Sequence, residues 1–240
     1  ERALLFEEVS RPPHHAQVDG RAEAGPPPPP RHPRGGRGRP PAPFARAREL
    51  YKCLARDLPG VSVTWHGLPT SEQIRALRQG QIDLGFLHLP ADTAGLEVAP
   101  VVRDRLVLAV HVSHPQGHRA SASLSTFKHD GFILPPRESA PGLHDLIVAT
   151  CSAAGFSPEI PHRARDMLAM ISLVSIGAGV SIVPRWLDAT GFPDVRCLRI
   201  RGPSPIVELV LAWNPENPSP VLKRALSTLR ATFFDREAAR

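Results

Sequence analysis

Apolar residues recur at helical and strand periods along most of the chain, but not along its front. From Phe44 onward, Leu50, Leu54 and Leu58 fall at helical spacing, and Pro59-Gly60 stops that helix. Val61 to His66 has the β-branched content of a strand. A helix is expected from Thr70, with Gln73 three residues on as a capping box and Ile74 and Leu77 facing inward. Gly80 stands where a left-handed helix stop is wanted. Ile82 to Leu87 is a nearly continuous apolar strand, so residues 61–87 read as a βαβ unit with a parallel sheet.

The alternation then repeats. Leu106 to Val110 reads as a buried strand closed by the turn His114-Pro115-Gln116-Gly117, and Phe132 to Leu134 as another strand. A helix is expected from Gly142 to Ala153, stopped by Gly155. Asp166 should cap a helix whose Met167, Met170, Ile171 and Val174 share one face. Gly177-Ala178-Gly179 turns into the strand Val180 to Val183. Val195 to Ile200 and Ile206 to Trp213 are the last strands, and Pro220 to Phe234 the last helix. Two α/β lobes joined by crossing strands explain this pattern better than one large sheet. Ahead of the regular part, Arg2 to Val9 reads as a short amphipathic helix, too short to be stable alone.

Composition sharpens the division. The formal charge of +6 lies entirely in residues 11–48, where eight arginines face Asp19 and Glu23; the remainder balances. The same stretch holds 11 of the 28 prolines, including Pro26 to Pro30, and is expected to be disordered or polyproline-like to residue 43. Arg34 to Arg39 resembles an RNA-binding tail in composition, but no aromatic residue for base stacking lies between Val9 and Phe44. The high isoelectric point is therefore no guide to partners. No apolar run reaches the ~18 residues of a membrane span, and Glu1 to Ser10 lacks the order of a secretory signal. Cys53, Cys151 and Cys197 are odd in number and far apart, which fits a reducing cytoplasm and no disulfide framework.

Candidate chemistry is sparse. Gly177 and Gly179 follow a helix and precede a strand, the reverse of a dinucleotide fingerprint. His111, His114 and His118 have metal-like spacing but lie at a strand end and in a turn, so no metal or other cofactor is expected. Asp83 in its apolar strand reads as a structural carboxylate. No nucleophile elbow and no thiol in an activating setting occurs, so an enzyme is not expected. The strongest signal is a pair of helix N-termini at strand ends, where free N–H groups attract anions. Thr70 and Ser71 open one helix, and Pro141, Gly142 and Leu143 the other; Gly142 is expected to let a ligand approach the backbone. Facing each other across a cleft, they would grip a small carboxylate.

From Glu49 to Phe234 the chain resembles the effector-binding domain of LysR-type transcriptional regulators. The resemblance is carried by Leu58-Pro59-Gly60-Val61, Gln73 to Phe86, Leu106 to His111 with His114-Pro115, and Leu173 to Pro184. Within the family, Leu106 to Pro115 is most similar to regulators of aromatic catabolism. The resemblance implies a type 2 periplasmic-binding-protein-like fold, two Rossmann-like lobes around a ligand cleft. It assigns lobe I to residues 44–105 and 212–240, and lobe II to residues 106–211. It also implies a small effector in the cleft, contacted at Thr70 and at the Pro141-Gly142-Leu143 loop, and self-association as a dimer or tetramer. Promoter DNA would be met through a helix-turn-helix domain that these residues do not include. Glu1 to Ser10 resembles at most the end of that domain's linker helix.

Where the family begins its effector domain with a strand and a pocket-lining loop, this chain has the proline–arginine segment. The first strand is thus expected to be missing, a pattern that a reading-frame shift in a GC-rich gene, restored near residue 48, would give. A solute-binding protein of the same fold is the competing reading, and an enzyme on that fold a weaker one.

Overall fold

The computed structural model describes residues 4–7, 42–192 and 194–230. In chain order these form strand β1 (Leu4–Glu7), helix α1 (Ala42–Asp57), β2 (Val63–His66), α2 (Thr70–Arg78), β3 (Gly85–Leu89) and β4 (Glu97–His111). They continue with β5 (Ser121–Ala122), β6 (Gly131–Leu134), α3 (Pro141–Ala153), β7 (Glu159–Arg163), α4 (Met167–Ser175), β8 (Ser181–Pro184), β9 (Val195–Ile200), β10 (Ile206–Trp213) and α5 (Pro220–Leu229). Short 3-10 turns occupy Leu124–Phe127 and Arg185–Thr190.

The sheet through β3, β10 and β4 builds lobe I, and the period of two along β10 explains its two-sided core. Leu209, Leu211 and Trp213 face α1 and α5, packing on Leu50, Leu54, Leu58, Leu222 and Leu229. Val210 and Ala212 face the other way, onto Ile74, Leu77 and Leu87 around α2. Burying each of the three α1 leucines is worth about 1.5–3 kcal/mol as an upper bound. Gly80 ends α2 with φ +67°, as its position in the sequence requires.

Lobe II forms on the second half of β4. Leu106 to Ala109 pair with β8, and Val107 to His111 with β9, while Glu97 to Arg105 pair with β10. Its core joins β6, β8 and β9 to the inner faces of α3 and α4, with Phe127, Phe132, Ile147, Met170, Ile171 and Val174 nearly inaccessible. Asp166 caps α4 as expected, accepting from the Ala169 N–H at 2.8 Å. Both crossing strands connect the lobes. In β10 the change of core falls between Val207 and Leu209, so nearly all of that strand serves lobe I and the boundary expected at residue 212 moves forward.

Four further readings need correction. Leu4–Glu7 is extended and pairs in parallel with Val63–His66, where a helix over Arg2 to Val9 was expected. A first strand is therefore present beside β2, contributed from ahead of the proline–arginine segment. A helix of this length gains almost no internal hydrogen bonds for the residues it fixes, whereas a sheet edge supplies partners at once. β2 bonds to β1 rather than directly to β3, which pairs antiparallel with β10. The start of the regular region also moves, because Ala42 and Pro43 already belong to α1. The remainder of the segment read as disordered, to residue 41, lies outside the described residues, as does the end of the last helix beyond Arg230.

Candidate functional site

α2 and α3 both begin where a strand ends, β2 and β6 respectively, so the partial positive charge of each N-terminus is directed at the space beyond the sheet. That space is a cleft of about 760 Å³. Thr70 and Ser71 line it from lobe I, and Pro141, Gly142 and Leu143 line it from lobe II. The five residues expected from the sequence are thus brought to one opening between the lobes.

Local hydrogen bonds hold both helix starts. The capping box at Thr70 does not form. Pro69 is the N-cap without a side-chain cap bond, and Gln73 turns inward to donate to the Phe86 carbonyl at 2.9 Å and the Leu68 carbonyl at 3.3 Å. A buried carbonyl without a partner is costly, so the amide is better used there than at an exposed helix end. This ties the loop before α2 to β3. Before α3, the His144 ring bonds to the Pro135 carbonyl at 2.9 Å. Arg137 makes two bonds to Asp145, which hold that carboxyl below its ordinary range.

The lobes meet across the cleft. The Ser71 N–H donates to the Ser139 carbonyl at 3.2 Å. Arg165, just before α4, reaches Glu72 on α2 at 3.1 Å. Gly142 rests on Pro90 so closely that a Cβ would overlap the Pro90 carbonyl oxygen. The room expected for a ligand at this glycine is therefore filled by lobe I backbone. The Gly142 and Leu143 N–H groups lie in the first turn of α3, where helical geometry supplies no carbonyl partner.

Several other residues that line the cleft carry no signal in the sequence. Phe86, Met167 and Met170 add apolar lining, and Arg165 brings a cation to the cleft beside the start of α2. Arg78 also lines the cleft but is committed to Asp92 and to the Ala94 carbonyl. His88 lines it from β3 and is partly buried, and its side chain makes no hydrogen bond among the described residues. Burial pushes its pKa down from 6.5 to about 4, so its imidazole is neutral at physiological pH. Its one visible signal was a lone polar residue in the apolar run Gly85 to Leu89.

The other candidates lie elsewhere. His111 bonds to the Ser113 hydroxyl, and His114 bonds to Asp130 while stacking on Phe127, so both order a turn of lobe II. His118 is exposed. Among the described residues no three His, Cys, Asp or Glu side chains are grouped to hold a metal. Asp83 accepts from the Asn217 side chain at 3.0 Å, tying β3's approach to the loop before α5. Burial pushes the Cys151 and Cys197 thiols up to about 12, the latter with help from Asp188. No described helix is long and apolar enough to cross a membrane.

The family model described as "LysR substrate binding domain" matches residues 46–234. The chain belongs to this family. The HTH-type transcriptional regulator TfdS of Cupriavidus pinatubonensis is 29% identical over 181 residues, 75% of this chain and 61% of the relative. The chain thus spans about three fifths of that regulator's length. The crystal structure of CbnR, a LysR family transcriptional regulator, superposes with a TM-score of 0.65 at 27% identity, covering 79% of this chain and 66% of CbnR. The BenM effector-binding domain with its effector benzoate has the same fold, with a TM-score of 0.63 at 21% identity, covering 79% of this chain and 86% of that domain. Membership in the LysR family favours the regulator reading over a free-standing solute-binding protein. The matched residues are the effector-binding portion, without the DNA-binding domain.

Proposed function

We propose that this LysR-family domain senses a small carboxylate, held between the N-termini of α2 and α3. The observation that carries the reading is the convergence of Thr70, Ser71, Gly142 and Leu143, drawn from two lobes, on a single cleft. The Thr70 hydroxyl and the first-turn N–H groups of α3 supply donors, and Arg165 supplies charge. Phe86, Met167 and Met170 give an apolar surface for a ring, and the benzoate bound by BenM is a ligand of this chemical kind. A ligand touching both lobes favours the arrangement it fits, and only that difference in affinity can shift an oligomer between states.

In the whole protein, the reading is a cytoplasmic, self-associating regulator that reaches promoter DNA through a separate helix-turn-helix domain. It is not read as an enzyme. Among the described residues the cleft offers hydroxyl and backbone donors, with no nucleophile bonded to a base, and the two thiols whose pKa burial raises are protonated. The test is a thermal shift of the chain with benzoate. Binding should raise the melting temperature, and Thr70→Ala should weaken affinity by about 2–10-fold through one lost hydrogen bond. No shift with benzoate or any other small carboxylate would overturn the reading.

A further inference from the structure

His88 is the polar side chain of the cleft that the carboxylate reading leaves unused. Glu72 is taken by Arg165 and Asp92 by Arg78, the Gln73 Nε2 donates to two carbonyls while its unpaired Oε1 is turned towards Gly85, Asp166 caps α4, and His66 is exposed to water. His88 alone combines partial burial with two ring nitrogens that find no partner among the described residues. It lies on the same face of β3 as Phe86, two residues away, and both residues line the cleft. A cleft of about 760 Å³ is roomy for a bare benzoate and falls in the range where a few placed polar groups set specificity.

We infer that the cleft selects a carboxylate bearing a hydroxyl group, and that His88 is the residue that reads the hydroxyl. The inference rests on the carboxylate reading above. A neutral imidazole is one donor and one acceptor, which matches a hydroxyl in either tautomer. The alternative of a second carboxylate at this position is disfavoured, because burial opposes the protonated ring that would balance its charge. A ligand that shuts water off from the half-buried imidazole but lacks a hydroxyl leaves the ring nitrogens unpaired, which is how such sites discriminate.

The experiment is titration calorimetry of the full chain with benzoate and with 2-, 3- and 4-hydroxybenzoate. At least one hydroxybenzoate should bind about tenfold or more tightly than benzoate. In His88→Leu that ratio should fall below about twofold, and in His88→Asn, which keeps a donor and an acceptor, it should be largely retained. Circular dichroism melts check that both variants fold; if His88→Leu does not, His88→Phe takes its place. Benzoate and the hydroxybenzoates binding with equal affinity, or a preference that survives in His88→Leu, would overturn the inference while leaving the carboxylate reading standing. Failure of all four to bind the unaltered chain would overturn the inference, and failure of other small carboxylates as well would bring down the carboxylate reading with it.

Discussion

Gly142, in the first turn of α3, packs its Cα against the carbonyl of Pro90, at the end of β3, leaving no space for a side chain between the lobes. The obstacle to a Cβ is backbone, which cannot swing aside like a flexible side chain. Gly142→Ala should therefore separate the lobes at this point instead of being absorbed locally. We expect a stability loss of about 1–3 kcal/mol or more from the overpacking. The Ser71 amide, bonded to Ser139 across the same gap, should exchange its hydrogen faster. Unchanged exchange at Ser71 with unchanged melting would show that the lobes do not depend on this contact.

A second close approach lies inside lobe I. A Cβ at Gly85 would stand 2.7 Å from the Gln73 Oε1 and 3.2 Å from a Leu77 methyl. Gln73 is almost fully buried and its Nε2 is held by two carbonyls, so the amide has little freedom to retreat. Gly85→Ala should cost about 1–3 kcal/mol, and Gln73→Ala in the same chain should recover part of that loss, since it removes the obstructing atom. A double-mutant cycle of denaturant midpoints measures the coupling. Additive losses would mean that the strain is released elsewhere.

The arrangement around Gln73 marks the limit of what could be read from the chain. Core positions with a regular period, such as Leu50, Leu54 and Leu58 or Met167, Met170, Ile171 and Val174, announced their elements because burial selects one face. Val195–Ile200 and Ile206–Trp213 have the expected bounds for the same reason. β7 escaped notice because Glu159–Arg163 is almost wholly exposed and contains a proline, so no burial pattern marks it. The capping box misled because the sequence shows which bond Gln73 could make locally, and not the buried Phe86 carbonyl that competes for it. The helix starts at Thr70 and Gly142 were legible as local signals. The Arg165–Glu72 pair was not, since nothing in the chain sets the register between residues 93 positions apart.

That pair has a use that exposure alone would not suggest. With side chains 67% and 36% exposed, it contributes at most about 1 kcal/mol to stability. Its position at the cleft makes Glu72 a competitor of any bound carboxylate for Arg165. Glu72→Gln should therefore change the melting temperature little and tighten benzoate binding by about 2–5-fold, most clearly at low ionic strength. Arg165→Met should weaken the same binding. Calorimetry at two salt concentrations tests this, and weaker binding in Glu72→Gln would show that the carboxylate orders Arg165 for the ligand.

His88 should also shape how stability depends on pH. Its folded pKa of about 4 lies below the 6.5 expected of an exposed imidazole, because burial opposes the charged ring. Between these values the unfolded chain binds more protons than the folded one, so stability rises with pH across that window. The contribution is complete above about pH 6.5 and lost as the pH falls towards 4. Asp57, Asp92 and Asp145 have pKa values lowered from 3.8 by their own partners. Their contribution is complete above that value and fails only at lower pH, so it does not overlap the window of His88. His88→Gln should therefore flatten the melting temperature between pH 6.5 and 4.5 relative to the unaltered chain. Parallel curves would mean that water reaches the imidazole in the folded state, and that its burial in the cleft does not hold it neutral.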